Sequence, residues 1–363
     1  MNTIKLNLKT RSYHIAIEEG LLPKTGCLLK RSDIGRDAIV ITNNYLKKKF
    51  GAKLKNSLVK HGFSYKFYTV PDSEKAKSIR YCLDLIDKIS KYDKKKQVFL
   101  IALGGGVIGD LTGFVASIYK RGVPYIQIPT TLLAQIDSSI GGKTAIDLEV
   151  AKNLVGAFYQ PKLVIVDPGL LKSLPKRQLR SGLAEVIKYS IIKDKALFVY
   201  LKNNYKKILS LSKKEIETIE KKCIAIKARV VEKDEKEKKG IRTILNFGHT
   251  IGHAIESAAR YNTYNHGEAI SLGMACAAEI AYQLRLLKKN ELNKIIALIK
   301  LYELPQRIKG ISLNKIMDSL ARDKKFVKAK NRFVLPKAIG KVIVKKNIPE
   351  TIIKKTILKY SCC

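Results

Sequence analysis

The stretch Val98-Phe99-Leu100-Ile101-Ala102-Leu103 runs directly into Gly104-Gly105-Gly106-Val107-Ile108-Gly109-Asp110. The apolar run predicts a short buried strand, and the residues from Asp110 to Tyr119 carry a helical pattern. Gly104, Gly106 and Gly109 satisfy the G-x-G-x-x-G spacing in the context it needs, a strand before and a helix after. Such glycines allow a tight turn and let backbone N–H groups approach a pyrophosphate at a helix N-terminus. A turn that merely packs strand on helix has the same signature. The acid expected about 20 residues further on is missing, because Ile126–Leu133 offers none. A ribose-binding acid would come instead from Asp72 or Glu74, after the strand candidate Ser64–Val70, and the arrangement departs from a standard Rossmann unit.

Outward from this turn, Ala38–Thr42, Tyr125–Ile128 and Leu163–Val166 also read as strands, rich in Ile, Val and Tyr. Helix-like stretches such as Lys77–Ser90 lie between them, so the first half predicts a mostly parallel α/β sheet. After Pro175 the pattern changes. Gln178–Lys193, Lys213–Val231, His249–Ala259, Gly267–Leu287 and Glu291–Tyr302 show apolar residues at helical spacing, and strand signals are nearly absent. The expectation is an α/β domain over residues 1–177 and an all-α domain over 178–363. The charged run Glu232–Lys239 predicts a solvated helix end or loop.

With 363 residues and 46% hydrophobic content, the chain can bury two cores. No apolar run approaches the roughly 20 residues needed to span a bilayer, and Met1–Thr10 lacks a signal-like core. Six scattered cysteines without a Cys-x-x-Cys spacing predict free thiols and a cytoplasmic location. The net charge of +39 invites a nucleic-acid reading. Against it, the lysines are spread along the chain and punctuate amphipathic stretches such as Asn203–Ile219, with no Trp and no alternation of basic and aromatic residues. The expected partner is an anionic small molecule, which such a surface would steer inward, with no nucleic acid and no membrane.

Three of the five histidines, His249, His253 and His266, fall in one 18-residue window. His249 and His253 are spaced i, i+4 and share a helix face. This crowding points to zinc or a similar ion, with Glu185 as a further oxygen ligand; spacing does not say which two histidines ligate. No cysteine joins the cluster, which favours an open catalytic site over a closed structural one. Asp137, Lys143, Lys152, Asn153, Lys188, Arg242 and Asn246 sit among small or apolar residues, and as a set suggest an anion site beside a metal.

Gly104–Gly113 (GGGVIGDLTG), Gln127–Leu133 (QIPTTLL), Asp137–Thr144 (DSSIGGKT), Gly156–Pro161 (GAFYQP), Gly182–Tyr189 (GLAEVIKY), Asn246–Glu256 (NFGHTIGHAIE), His266–Ala269 (HGEA) and Arg322–Lys325 (RDKK) together resemble the motifs of the 3-dehydroquinate synthase family, in that family's order from about Asp72 to Ile343. The first 60 residues match it poorly. The resemblance implies an NAD-binding α/β domain, a helical metal- and substrate-binding domain, and an active site in the cleft between them. It implies Glu185, His249 and His266 as ligands to zinc, with cobalt also accepted, and His253 as an active-site histidine. NAD contacts fall on Asp72, Ser73, Glu74, Lys75, Ala76, Lys77, Gly105, Gly106, Val107, Ile108, Gly109, Asp110, Thr130, Thr131, Lys143 and Lys152, and on Leu170, Leu171, Lys172 and Ser173, where residue types vary. Substrate contacts fall on Asp137, Lys143, Lys152, Asn153, Lys188, Lys227, Arg242, Asn246, His253 and Lys325. Arg121 resembles a residue that reaches the neighbouring subunit's substrate phosphate, which implies a homodimer.

The implied reaction converts 3-deoxy-D-arabino-heptulosonate 7-phosphate, a phosphorylated sugar acid, to 3-dehydroquinate and phosphate. It runs through transient oxidation by NAD, phosphate elimination, re-reduction and an intramolecular aldol closure. An NAD- and metal-dependent polyol dehydrogenase is the nearest alternative, and would not need the anion contacts Lys152, Lys188, Lys227 and Arg242. A cyclase acting on another sugar phosphate is the next.

Overall fold

Val98–Gly104 is buried at every position, as a strand covered on both faces requires. The computed structural model describes all residues except 33, 95, 150, 260–262, 323–330 and 363. The strands are β1 (Asn2–Leu6), β2 (Tyr13–Ile17), β3 (Asp37–Thr42), β4 (Ser64–Thr69), β5 (Val98–Gly104), β6 (Tyr125–Pro129), β7 (Lys143–Leu148), β8 (Ala151–Phe158), β9 (Leu163–Val166), β10 (Arg332–Ala338) and β11 (Lys341–Lys346). The helices are α1 (Thr25–Leu29), α2 (Asn44–Lys60), α3 (Ile79–Tyr92), α4 (Gly106–Ile118), α5 (Lys176–Lys193), α6 (Lys195–Leu209), α7 (Lys213–Lys233), α8 (His249–Ala258), α9 (His266–Gln283), α10 (Lys289–Leu301), α11 (Leu313–Arg322) and α12 (Glu350–Tyr360). No helix among the described residues is long and apolar enough to cross a membrane.

Contacts divide the chain into two units: Met1–Leu174 with Ile216–Lys236, and Pro175–Glu215 with Glu237–Cys363. The first unit holds a sheet of order β1-β2-β9-β6-β5-β3-β4. It is parallel from β2 to β4, with β1 antiparallel at the edge. The chain goes from β3 outward to β4, then back across β3 to β5, β6 and β9. The winding therefore reverses between β3 and β5, and ligands of such sheets bind at that switch point, beyond the carboxyl ends of the strands. Sequence periodicity places α7 with the C-terminal helices. Its stripe of Ile224, Ala228 and Val231 packs instead with Leu6, Tyr13, Ile15 and Ile17 of the N-terminal hairpin and with Val164 and Val166 of β9.

The second unit is helix-rich but not all-α. The β-branched run in β11 pairs antiparallel with β10, in register Val334↔Val344 and Leu335↔Ile343. The amphipathic stretch Asn203–Ile219 is divided between two helices. Helix α6 ends at Leu209, Leu211 takes a left-handed φ of 58°, and α7 starts at Lys213.

Glycines set how closely the helices of this unit cross. A methyl group on Gly273 of α9 would land inside the carbonyl oxygen of Gly248, immediately before α8, and one on Gly267 would land on the backbone of Ser181 in α5. Gly248 itself sits at φ +79°, where a side chain would be strained. These contacts bring α5, α8 and α9 together. Gly273→Ala is expected to destabilise the protein by roughly 3 kcal/mol through overpacking against backbone, seen as a lowered urea midpoint at unchanged slope.

Candidate active site

Helix α5 carries Glu185 midway along a run that is buried from Ser181 to Ile192. Helix α8 opens with His249, and α9 opens with His266. The start of α9 is fixed by a capping box: Asn265 Oδ1 accepts from Glu268 N at 2.9 Å, and Asn265 N donates to Glu268 Oε2 at 2.9 Å. Arg177 of α5 grips the same Glu268 carboxylate with Nε and Nη2, both at 2.7 Å, so the first turn of α9 is tied to α5. Burial opposes the charge on Glu268, but Arg177 and the Asn265 N–H hold it below the usual carboxylate range.

The result is a convergence of donors. Glu185 Oε1 lies 3.5 Å from His249 Nε2 and 3.4 Å from His266 Nε2. Ligands at about 2.1 Å from a tetrahedral ion stand about 3.4 Å apart, so these three residues fit a divalent cation. His249 Nδ1 donates to the Phe247 carbonyl at 3.1 Å, which leaves the Nε2 lone pair facing Glu185. On the far side of His266, Nδ1 lies 3.5 Å from Glu256 Oε2. His253 is exposed, its ring 5.2 Å from that of His249 and 6.1 Å from that of His266. Lys188, one turn beyond Glu185 and 1% exposed, pairs with Glu185 Oε2.

The electrostatics separate the imidazoles. Burial, then Lys188 and the two other histidines, hold His249 well below the usual imidazole range, in the neutral form a ligand needs. Burial also works against charge on His266, but its side chain is 31% exposed, and Glu185 and Glu256 together carry it up to about 10. An ion on Nε2 displaces that proton, because a ligating imidazole is neutral.

In the first unit, the residues expected to hold a dinucleotide end three of four neighbouring strands on their carboxyl side. Asp72 follows β4, Gly105 caps α4 after β5, and Thr130 follows β6, while Asn43, which follows β3, is not among the expected contacts and completes the row of four. Asn43 Nδ2 donates to Asp72 Oδ1 at 2.7 Å, and Thr130 N donates to Gly104 O at 3.0 Å. The glycines serve close approach rather than unusual backbone angles: a Cβ on Gly109 would sit 2.7 Å from Gln127 Oε1 of β6, and one on Gly105 3.2 Å from Thr131 Cγ2. The strands across the switch point, β3 and β4, precede the turn in the chain, so an acid there also precedes it. Lys77, 4% exposed, donates to Asp110 Oδ2 at 2.6 Å and also to Asn153 Oδ1. Burial opposes its charge, but Asp110, Asp147 and Glu74 hold it above the usual ammonium range. Lys227 Nζ donates to Asp137 Oδ1 at 2.7 Å and to the Asp137 carbonyl at 2.6 Å, on a π-helical turn over Ala134–Ser138.

Family models described as 3-dehydroquinate synthase N-terminal and 3-dehydroquinate synthase C-terminal match residues 67–181 and 182–326. A curated 3-dehydroquinate synthase of Desulforamulus reducens is 44% identical over 96% of this chain and 98% of its own length. One of Thermodesulfovibrio yellowstonii is 44% identical over 98% of this chain and 99% of its own. The chain belongs to the 3-dehydroquinate synthase family. Among solved structures, 2-deoxy-scyllo-inosose synthase complexed with carbaglucose-6-phosphate, NAD+ and Co2+ superposes with a TM-score of 0.90 at 26% identity, over 99% of this chain and 100% of that one. A probable glycerol dehydrogenase of Sinorhizobium meliloti 1021, over 95% of each chain, reaches 0.65 at 13% identity and shares the fold alone.

Within the second unit the structure gathers Glu185, His249, His253, His266 and Lys188. Arg242, 3% exposed, lies with Nε 3.3 Å from Glu237 Oε1. Lys325 lies outside the described residues. In the first unit Lys143, Lys152 and Asn153 are exposed on the β7–β8 hairpin, with Lys152 Nζ 3.6 Å from Glu74 Oε1. Arg121 is exposed in a left-handed run of Lys120 (φ 48°), Arg121 (φ 63°) and Gly122 (φ 127°). In the segment after β9, Leu170 and Leu171 are buried core, Lys172 pairs with Glu19, and Ser173 Oγ donates to the Leu170 carbonyl at 2.9 Å.

Sequence reasoning missed Asp147, which accepts from Asn153 N at 2.7 Å, and Glu256. The signal for Glu256 was available: it lies two helical turns beyond His249, at i+7, at the end of the Asn246–Glu256 motif. Glu256→Gln is expected to weaken zinc affinity about tenfold or more in a folded protein, measured by competition with a chelating dye. Lys77→Ala leaves Asp110 without this buried partner and is expected to cost about 3 kcal/mol, read from chemical unfolding.

Proposed function

We propose that the chain converts 3-deoxy-D-arabino-heptulosonate 7-phosphate into 3-dehydroquinate and phosphate. The observation that carries this is the Glu185, His249 and His266 set, spaced for a divalent ion with His253 beside it, in a chain matched to the family from residue 67 to 326. When bound, a zinc or cobalt ion on those three residues supplies Lewis acidity at substrate hydroxyls, and NAD at the Gly104–Asp110 turn supplies a reversible hydride acceptor. NAD ends unchanged, so the reaction counts as that of a carbon–oxygen lyase.

The residues divide the remaining work. His253, exposed beside the ligand imidazoles, moves the proton of the C5 hydroxyl. Asp137, fixed by Lys227, is the second group for proton handling there. Lys152 and Asn153, with Arg121 from a second copy in a homodimer, hold the departing phosphate, which can itself accept the proton from the neighbouring carbon. Lys143, Lys188, Lys227, Arg242, Asn246 and Lys325 hold the carboxylate and hydroxyls. Asp72 to Lys77, Thr130, Thr131 and Leu170 to Ser173 line the dinucleotide. The cellular setting is the cytoplasm and the second step of the shikimate pathway to chorismate and the aromatic amino acids.

Purified protein supplied with NAD and zinc is expected to release phosphate from this substrate without accumulating NADH, and chelation should stop the release. Glu185→Ala should lose the ion and lower turnover by about a thousandfold or more. Release that persists in Glu185→Ala, or steady NADH production from glycerol instead, would overturn the reading.

A further inference from the structure

Lys227 of α7 bonds both the carboxylate and the carbonyl of Asp137 on a separate π-helical turn, so the pair forms only if both elements are held in register. The same N-terminal hairpin touches both. On the α7 side, Glu235 just past the helix accepts from Arg11 Nε at 3.1 Å and Nη2 at 2.7 Å, and from Gln160 Nε2 at 3.0 Å. Glu232 in the last turn accepts from Asn7 N at 2.8 Å and Nδ2 at 3.2 Å. At the other end of α7, Glu217 accepts from Glu19 N at 3.1 Å. On the Asp137 side, Gly141 N donates to Tyr13 Oη at 3.1 Å, and Ile140 packs in the cluster that holds Tyr13, Ile15, Ile224 and Ala228.

Two features argue that these contacts set register rather than merely add stability. The apolar stripe of Ile224, Ala228 and Val231 ends at Val231, and the fork from Arg11 to Glu235 adds a directional contact beyond it, past the end of α7. Acids at a helix C-terminus also oppose the macrodipole, so Glu232 and Glu235 do not serve the helix itself. The run Glu232–Lys239 is a helix end and loop, exposed at Lys233 and from Lys236 to Lys239, but two of its acids, Glu232 and Glu235, are turned to the hairpin as a clamp.

We infer that the hairpin β1–β2, which lies before the span matched by the family models, positions the Lys227–Asp137 pair through Arg11, Tyr13 and Glu235. Its kinetic meaning rests on the reaction proposed above. The test is a double-mutant cycle. Glu235→Ala alone should lower kcat about tenfold with KM for NAD unchanged, and in a Lys227→Ala background the same change should lower kcat by less than about twofold. Tyr13→Phe, which removes one acceptor and keeps the ring, should follow the same pattern with a loss of about threefold. If Glu235→Ala does not fold, Glu235→Gln replaces it in the cycle. Losses of equal size in both backgrounds, or none in the native one, would overturn the inference. Acetylation of lysines in native conditions reads the same displacement without turnover: Lys227, with a side chain 7% exposed, should label faster in Glu235→Ala than in the native chain. Unchanged labelling would overturn it too. A native protein that releases no phosphate would sink the proposed reaction instead, and the labelling would still decide the role of the hairpin.

Discussion

A carboxylate with no solvent exposure, Glu185, sits midway along α5. Removing such a charge from water costs several kcal/mol unless something compensates, and the second unit is arranged to compensate it. Lys188 comes from the next turn of the same helix, and His249 and His266 come from two others. Those helices reach Glu185 because glycines stand at their crossings, and α9 starts where it does because Asn265 and Glu268 cap it while Arg177 ties it back to α5. Capping, packing and ion chemistry are thus one constraint seen at three scales. Lys188 and His266 offset the charge directly, neutral His249 completes the set for an ion that would do the same, and helices close enough to gather all three admit no side chain at Gly273 or Gly267.

The first unit meets its chemistry differently. Its sheet reverses winding between β3 and β5, and the segments after β4, β5 and β6 stand on either side of that reversal. The ion pair of Lys77 with Asp110 links the segment after β4 to the second turn of α4, and its further bond to Asn153 reaches the β7–β8 hairpin. Asn153 accepts this at a left-handed φ of 54°, a strain that the surrounding bonds to Lys77 and Asp147 sustain.

Much of this was legible in the residues. The strand from Val98 announced itself because a fully buried parallel strand is a continuous apolar run, and the histidines because three in one window are rare in a chain with five. The assignment of Glu185, His249 and His266 over His253 came from the family resemblance, since the one-turn spacing of His249 and His253 does not say which histidines ligate. Other elements were illegible for physical reasons. Strand β8 is exposed at nearly every position and shows no alternation to detect. Strand β1 is short and half exposed, with its burial concentrated at Leu6. For α7 the period was plain but the partner was not: an apolar stripe says that a helix face is covered, never by what. Glu232 and Glu235 read as solvated because their partners, Asn7 and Arg11, lie more than 220 residues away in sequence.

That separation also sets an order of events during synthesis. The first unit cannot close its second apolar cluster until Ile224, Ala228 and Val231 have been made, long after Leu6, Tyr13 and Ile15. At about 5–20 residues per second, the nascent hairpin waits on the order of ten seconds or more with that face uncovered. A chain of this topology completes its sheet before the helix that covers one face of it, and that sticky side must be shielded by its own charge or by a chaperone; a net charge of +39 is a ready means of keeping neighbouring chains apart.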